Sequence, residues 1–115
     1  MPQGPVPSTV FGERYSPSGL SVVSGTFSAT GHSASFTPLA GRGFNITASG
    51  TFSASFQLER SFNGTTWFPI TAAGTQLYVW TAPESEQAQE DENSVKYRLN
   101  CTAYTSGTVT YRISQ

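Results

Sequence analysis

One histidine, one cysteine and a run of acids are the groups in this chain that invite a chemical role. His32 lies in Thr30-Gly31-His32-Ser33, which reads as a turn between short strands. A serine nucleophile served by that histidine would need an exposed elbow of the Gly-x-Ser-x-Gly kind, and the sequence has none. A zinc site needs three or four His, Cys or acidic ligands, which a lone His and a lone Cys in separate segments do not supply. Cys101 falls in phase with Val95, Tyr97 and Leu99, so it reads as a buried, inert thiol.

Glu84, Glu86, Glu90, Asp91 and Glu92 gather most of the chain's seven acids. Carboxylates in a loop can hold calcium, and a carboxylate pair can hydrolyse a glycoside. Here the spacing and glycine of a calcium loop are absent, and the only acid within a patterned strand is Glu59. The reading is a solvated loop over Pro83 to Asn93, able to meet a basic patch on a partner. Trp67, Tyr78 and Trp80 could stack on sugar rings, but the same aromatics fill cores and protein interfaces, and that reading is preferred. No catalytic, cofactor-binding or metal-ligating residue is expected. The chain reads as a non-enzyme that works by binding or assembling.

Composition points the same way. Charged residues are only 11% of the chain and the net charge is −1. Nucleic-acid binding needs clustered Lys and Arg to displace counterions, so no nucleic acid is expected. No apolar run is long enough to span a membrane as a helix. The first residues show neither an apolar core nor a cleavage signature, so the expectation is synthesis in the cytoplasm. With one cysteine the chain can form no internal disulfide.

The elements that must position these residues are strands. Eight Phe, five Tyr and eleven Gly in a Ser- and Thr-rich chain make a strand-and-turn composition. Met1 to Ser18 differs from the rest, carrying Pro2, Pro5, Pro7 and Pro17. It reads as an extended N-terminal arm without a sheet of its own. Val6, Val10, Phe11 and Tyr15 stud it, and a plain disordered tail would lack them. The arm is therefore expected to be pinned along its own domain or across a neighbour.

From residue 19 to residue 115 short alternating runs follow at spacings near ten residues. Phe44, Ile46 and Ala48 alternate with polar residues, as do Phe52, Ala54, Phe56 and Leu58. Val95, Tyr97, Leu99 and Cys101 repeat the pattern, then Val109, Tyr111 and Ile113. Period-two patterning of this kind buries one face of a strand. Further strands are expected over Leu20–Thr30, Ser33–Leu39, Trp67–Thr71 and Leu77–Thr81, and the last two strands read as a hairpin. Asn63-Gly64 is a turn signal. The fold expected is an all-β, antiparallel β-sandwich (Ig-like or jelly-roll) of about seven to eight strands. A weak echo runs through it. Ser24-Gly25-Thr26-Phe27-Ser28-Ala29 recurs as Ser49-Gly50-Thr51-Phe52-Ser53-Ala54, echoed by Ser106-Gly107-Thr108-Val109, and Asn45-Ile46-Thr47-Ala48 is echoed by Asn100-Cys101-Thr102-Ala103. It reads as two hairpins solving one turn problem with glycine.

Gln57-Leu58-Glu59-Arg60-Ser61-Phe62-Asn63-Gly64-Thr65-Thr66-Trp67 resembles a stretch of small proteins encoded in the structural gene clusters of tailed bacteriophages and prophages. The segment Tyr97 to Arg112 resembles the C-terminal part of the same group. The arm and the first strands do not share the resemblance. It implies a virion component. The expected role is a capsid decoration (cement) protein that binds the major capsid protein of the assembled head and self-associates as a homo-oligomer. A tail or head-completion part is the alternative within that group, and a carbohydrate-binding module the alternative outside it. The partner-binding candidates are Val6, Val10, Phe11, Tyr15, Trp67, Tyr78 and Trp80.

Overall fold

A computed structural model describes residues 21–115. The arm, with Val6, Val10, Phe11 and Tyr15, lies outside the described residues. The described chain is all-β, with no helix among them, and forms an antiparallel β-sandwich. Six strands are long: β1 (Val22–Phe27), β3 (Arg42–Ser49), β4 (Phe52–Ser61), β9 (Glu84–Glu90), β10 (Lys96–Gly107) and β11 (Val109–Ser114). Five have two residues each: β2 (Gly31–His32), β5 (Phe68–Pro69), β6 (Thr71–Ala72), β7 (Thr75–Gln76) and β8 (Val79–Trp80).

The first sheet runs in the order β9-β3-β11-β1. The second runs β2-β10-β4-β5, with β8 also pairing to β4, and β6 and β7 form a small ribbon. The alternating residues do what their period requires. Phe44, Ile46, Ala48, Val109, Tyr111, Ile113 and Phe27 face inward from the first sheet. Phe56, Leu58, Tyr97, Leu99 and Cys101 face them from the second. Phe44 and Tyr97 touch across the gap with ring centroids 4.8 Å apart, and Phe36 packs on Phe44 at 5.6 Å. Each large side chain so buried contributes about 1.5–3 kcal/mol.

Several sequence expectations are corrected. The segment Pro83 to Asn93 is not a loop: Glu84–Glu90 is an edge strand paired along β3. Its alternation is carried by polar residues, which a hydrophobic pattern does not register. Glu84, Glu86, Ala88 and Glu90 stand opposite Ala48, Ile46, Phe44 and Arg42, on the inward face. The segment containing Phe36 is no strand but a single bridge to Tyr97. The strands expected over Trp67–Thr71 and Leu77–Thr81 shrink to two-residue pieces, because Pro69 and the positive φ of Tyr78 (52°) interrupt them.

The last two strands are not a hairpin. β10 pairs with β4, whereas β11 pairs with β3 and β1 in the opposite sheet. Gly107 turns the chain from one sheet into the other, as Gly50 does between β3 and β4. Two of the three Ser-Gly-Thr copies therefore mark sheet-switching corners stacked on each other, while Ser24-Gly25-Thr26 lies within β1. The Thr108 N–H donates to Thr51 O at 3.2 Å. A Cβ on Gly50 would overlap the Thr108 carbonyl, and one on Gly107 the Thr51 carbonyl. Both glycines also have positive φ, 113° and 85°.

The echo is thus a pseudo-two-fold between two arches, β3–β4 and β10–β11. The Asn-x-Thr-Ala and Gly-Thr echoes lie two residues further apart in the second arch. Two register shifts in β10, between Cys101 and Ala103 and between Tyr104 and Ser106, absorb those two residues as β-bulges.

Candidate functional site

The two segments that carry the resemblance fold against each other. The β4–β10 register sets Glu59 opposite Arg98 and Gln57 opposite Asn100, on the outer face of the second sheet. Glu59 Oε1 accepts from Arg98 Nε at 2.8 Å. Its Oε2 accepts from Gln57 Nε2 at 2.7 Å and Asn100 Nδ2 at 2.9 Å. Gln57 Oε1 in turn accepts from Gln76 Nε2 at 2.8 Å. Glu59 is buried under these neighbours. Burial by itself would raise its pKa, but the three hydrogen bonds and the Arg98 charge hold it below the usual carboxylate value.

Trp67 belongs to this network. The Arg98 guanidinium lies 4.4 Å from the Trp67 ring centroid. Beside the pair runs an open groove of about 460 Å³ bordered by His32, Ser33, Ser35 and Thr65. The His32 Nδ1 is engaged with Ser33 O at 2.9 Å. The groove offers an aromatic ring, a fixed cation and hydroxyls, groups that bind by stacking and hydrogen bonding.

Tyr78 and Trp80 sit elsewhere. Trp80 pairs with Phe56 across the β4–β8 ladder, its ring 5.6 Å from that of Phe56 and 6.0 Å from that of Tyr78. The Trp80 Nε1 donates to Glu86 Oε2 at 3.2 Å, and the Tyr78 hydroxyl reaches Gln87 O at 3.4 Å. Both residues bridge from the second sheet to β9 and close the side of the sandwich. It is the alternate pair, Leu77 and Val79, that stands exposed. The structure does not bring Trp67, Tyr78 and Trp80 into one site.

At the end of the sandwich Arg60 pairs with Glu90, and the Tyr97 hydroxyl donates to the same carboxylate at 2.7 Å. Burial would raise the pKa of Glu90, but bonds from the Glu92 N–H, Tyr97 and Arg60 hold it low. Outside this cluster the Arg60 guanidinium lies 4.9 Å from the Phe62 ring, and Phe62 and Phe68 approach at 6.5 Å between centroids. These two phenylalanines are 55% and 47% exposed, an apolar pair that the sequence reading did not single out. The signal was present in part. Phe62 continues the inward phase of Phe56 and Leu58, but the strand ends at Ser61, and the Asn63-Gly64 turn carries the ring outside. Asn63 Oδ1 accepts the N–H groups of Thr65 and Thr66 and fixes that turn.

No protein-family model, curated protein or solved structure matches the chain.

Proposed function

We propose that the chain is a structural protein of a tailed-phage virion, of the kind that decorates the capsid and stabilises the assembled head. The observation that carries this reading is the exposed Phe62–Phe68 pair on a surface of low charge. Paired exposed aromatics beside an arginine are the composition of a protein-interface anchor. Leu77 and Val79 add apolar surface on the same run of short strands. The resemblance of Gln57–Trp67 and Tyr97–Arg112 to phage structural proteins supports the virion setting, and both segments meet in the β4–β10 ladder.

A decoration protein stabilises its target by binding only the assembled state, by mass action. Many copies with modest individual contacts suffice when they bind in concert. The partner is the major capsid protein, with self-association of this chain on the lattice. A tail or head-completion component would use the same surface at lower copy number. The test is quantitative mass spectrometry of purified particles. A ratio to the major capsid protein near one, or a simple fraction of it, is the expected result. A few copies per particle would move the protein to the tail or neck, and absence from particles would overturn the virion reading.

A further inference from the structure

Asn63 is the one asparagine in the chain followed by glycine; Asn45, Asn93 and Asn100 precede Ile46, Ser94 and Cys101. Glycine has no Cβ to shield its nitrogen, so an Asn-Gly pair can react with itself. Base removes the Gly64 amide proton, and the nitrogen attacks Asn63 Cγ. The ring closes to a succinimide as the Cγ–Nδ2 bond breaks, and Nδ2 takes up a proton and leaves as ammonia. Water then opens the ring at either carbonyl, giving aspartate or isoaspartate. The first product adds a negative charge to the turn, and the second also adds a methylene to its backbone.

The fold grips both reacting groups, and one side chain does most of it. Ser61, the last residue of β4, is fully buried. Its Oγ accepts the Gly64 N–H at 2.8 Å and the Asn63 N–H at 3.3 Å. The same hydroxyl donates to Asn63 Oδ1 at 3.1 Å. That oxygen also accepts from the Thr65 N–H at 2.9 Å and the Thr66 N–H at 2.8 Å. The nucleophile's proton and the electrophile's oxygen thus converge on one buried hydroxyl.

Two effects oppose each other here. Three donors around Oδ1 would stabilise the oxyanion that forms as the ring closes. Ring closure, however, begins with loss of the Gly64 proton, and a hydrogen-bonded amide gives up its proton only when the bond opens. The donors have no oxyanion to stabilise until that has happened. Protection therefore wins in the folded chain.

We infer that Asn63 is a site of spontaneous deamidation that the folded turn holds shut, with the Ser61 hydroxyl as the guard. This does not rest on the virion reading. The reaction is confined to copies whose β4 end has opened. In those copies the turn that sets the place of Phe62 carries a new charge.

The test is peptide mapping by mass spectrometry, with isoaspartate separated chromatographically, on the full chain aged at mildly alkaline pH. The reference is the same chain unfolded in guanidinium chloride. Asn63 should convert at least about tenfold more slowly in the folded chain. An equal or faster rate in the folded chain would overturn the assignment. Ser61→Ala, checked for cooperative unfolding, should speed conversion about three- to tenfold over the folded parent, the worth of one hydrogen bond. An unchanged rate in that folded variant would remove Ser61 as the guard and overturn the inference. A readout on the parent chain keeps the test independent of how well the variant folds. In guanidinium below the unfolding transition, Gly64 amide hydrogen exchange and Asn63 conversion should rise by the same factor. Conversion that rises while Gly64 exchange stays constant would also overturn it.

Discussion

Arg98 is fixed from two directions, its guanidinium 4.4 Å from the Trp67 ring and its Nε 2.8 Å from Glu59. Each contact orients the other, so the outer face of the second sheet carries a rigid polar cluster.

Removing the arginine isolates the acid. Arg98→Ala leaves the buried Glu59 with only Gln57 and Asn100, and should cost about 2–3 kcal/mol. Glu59→Gln in the same background should recover part of the loss, because no unpaired charge then remains. Urea unfolding of the single and double variants measures the coupling. Additive losses would mean that the two residues do not interact.

Stability should fall on both sides of an optimum in pH. Burial, and then the neighbouring Glu86 charge, push the Glu84 pKa up to about 7, and neither carboxylate oxygen has a hydrogen-bond partner among the described residues. Its folded pKa lies above its unfolded value, so its contribution is complete below about pH 4.5 and is lost as pH rises through 7. Glu59 and Glu90 have lowered pKa values, so their contribution is present above the unfolded value and is lost as pH falls. Glu84→Gln should flatten the slope between about pH 5 and 8 and stabilise the protein by about 1–3 kcal/mol at pH 8. The acid limb should remain. Thermal unfolding across that range checks both statements.

The corner glycines should tolerate no side chain. Gly107→Ala forces a Cβ into the Thr51 carbonyl and Phe52 Cα at positive φ. Since the obstacle is backbone, the expected loss is more than about 2 kcal/mol, read by denaturant unfolding.

Phe62→Ser with Phe68→Ser separates binding from folding. Both rings are about half exposed, so stability should change by less than about 1 kcal/mol. Binding to assembled particles should fall by about tenfold or more. Co-sedimentation with particles gives the answer, and unchanged binding would remove this pair from the interface.

Trp80 and Trp67 should respond differently to truncation. Trp80→Ala opens the side of the sandwich over Phe56 and should cost about 3 kcal/mol. Trp67→Ala should leave the core intact. If the groove beside Arg98 binds polysaccharide, only Trp67→Ala would abolish retention on a polysaccharide column without lowering the melting temperature by more than a few degrees.

The buried strands were legible because their apolar residues alternate: Phe44, Ile46, Phe56, Leu58, Leu99 and Ile113 are all fully buried. β9 was not, because its alternation is written in glutamates whose partners, Trp80, Arg60 and Tyr97, come from other strands. The hairpin misreading has a similar cause. A Gly-Thr turn between two alternating runs looks the same whether the runs pair or part, and only the other corner's backbone decides. The Glu59–Arg98 cluster was readable in principle. Gln57-Leu58-Glu59-Arg60 set antiparallel to Tyr97-Arg98-Leu99-Asn100 matches polar to polar and leucine to leucine. The Phe62–Phe68 pair needed the turn geometry, which periodicity does not contain.

The sheet-switching corners also govern when the chain can fold during synthesis. No two consecutive long strands pair with each other: β1 waits for β11, β4 for β10, and β3 for β9 and β11. Until Glu84–Glu90 has left the ribosome, none of the long strands already made has its long partner. With the pairings of its long strands all distant, the domain should fold late and in one step, in milliseconds to seconds rather than microseconds. The long strands made before β9 then emerge without their partners, and a truncation before β9 should yield insoluble chain rather than a smaller folded unit.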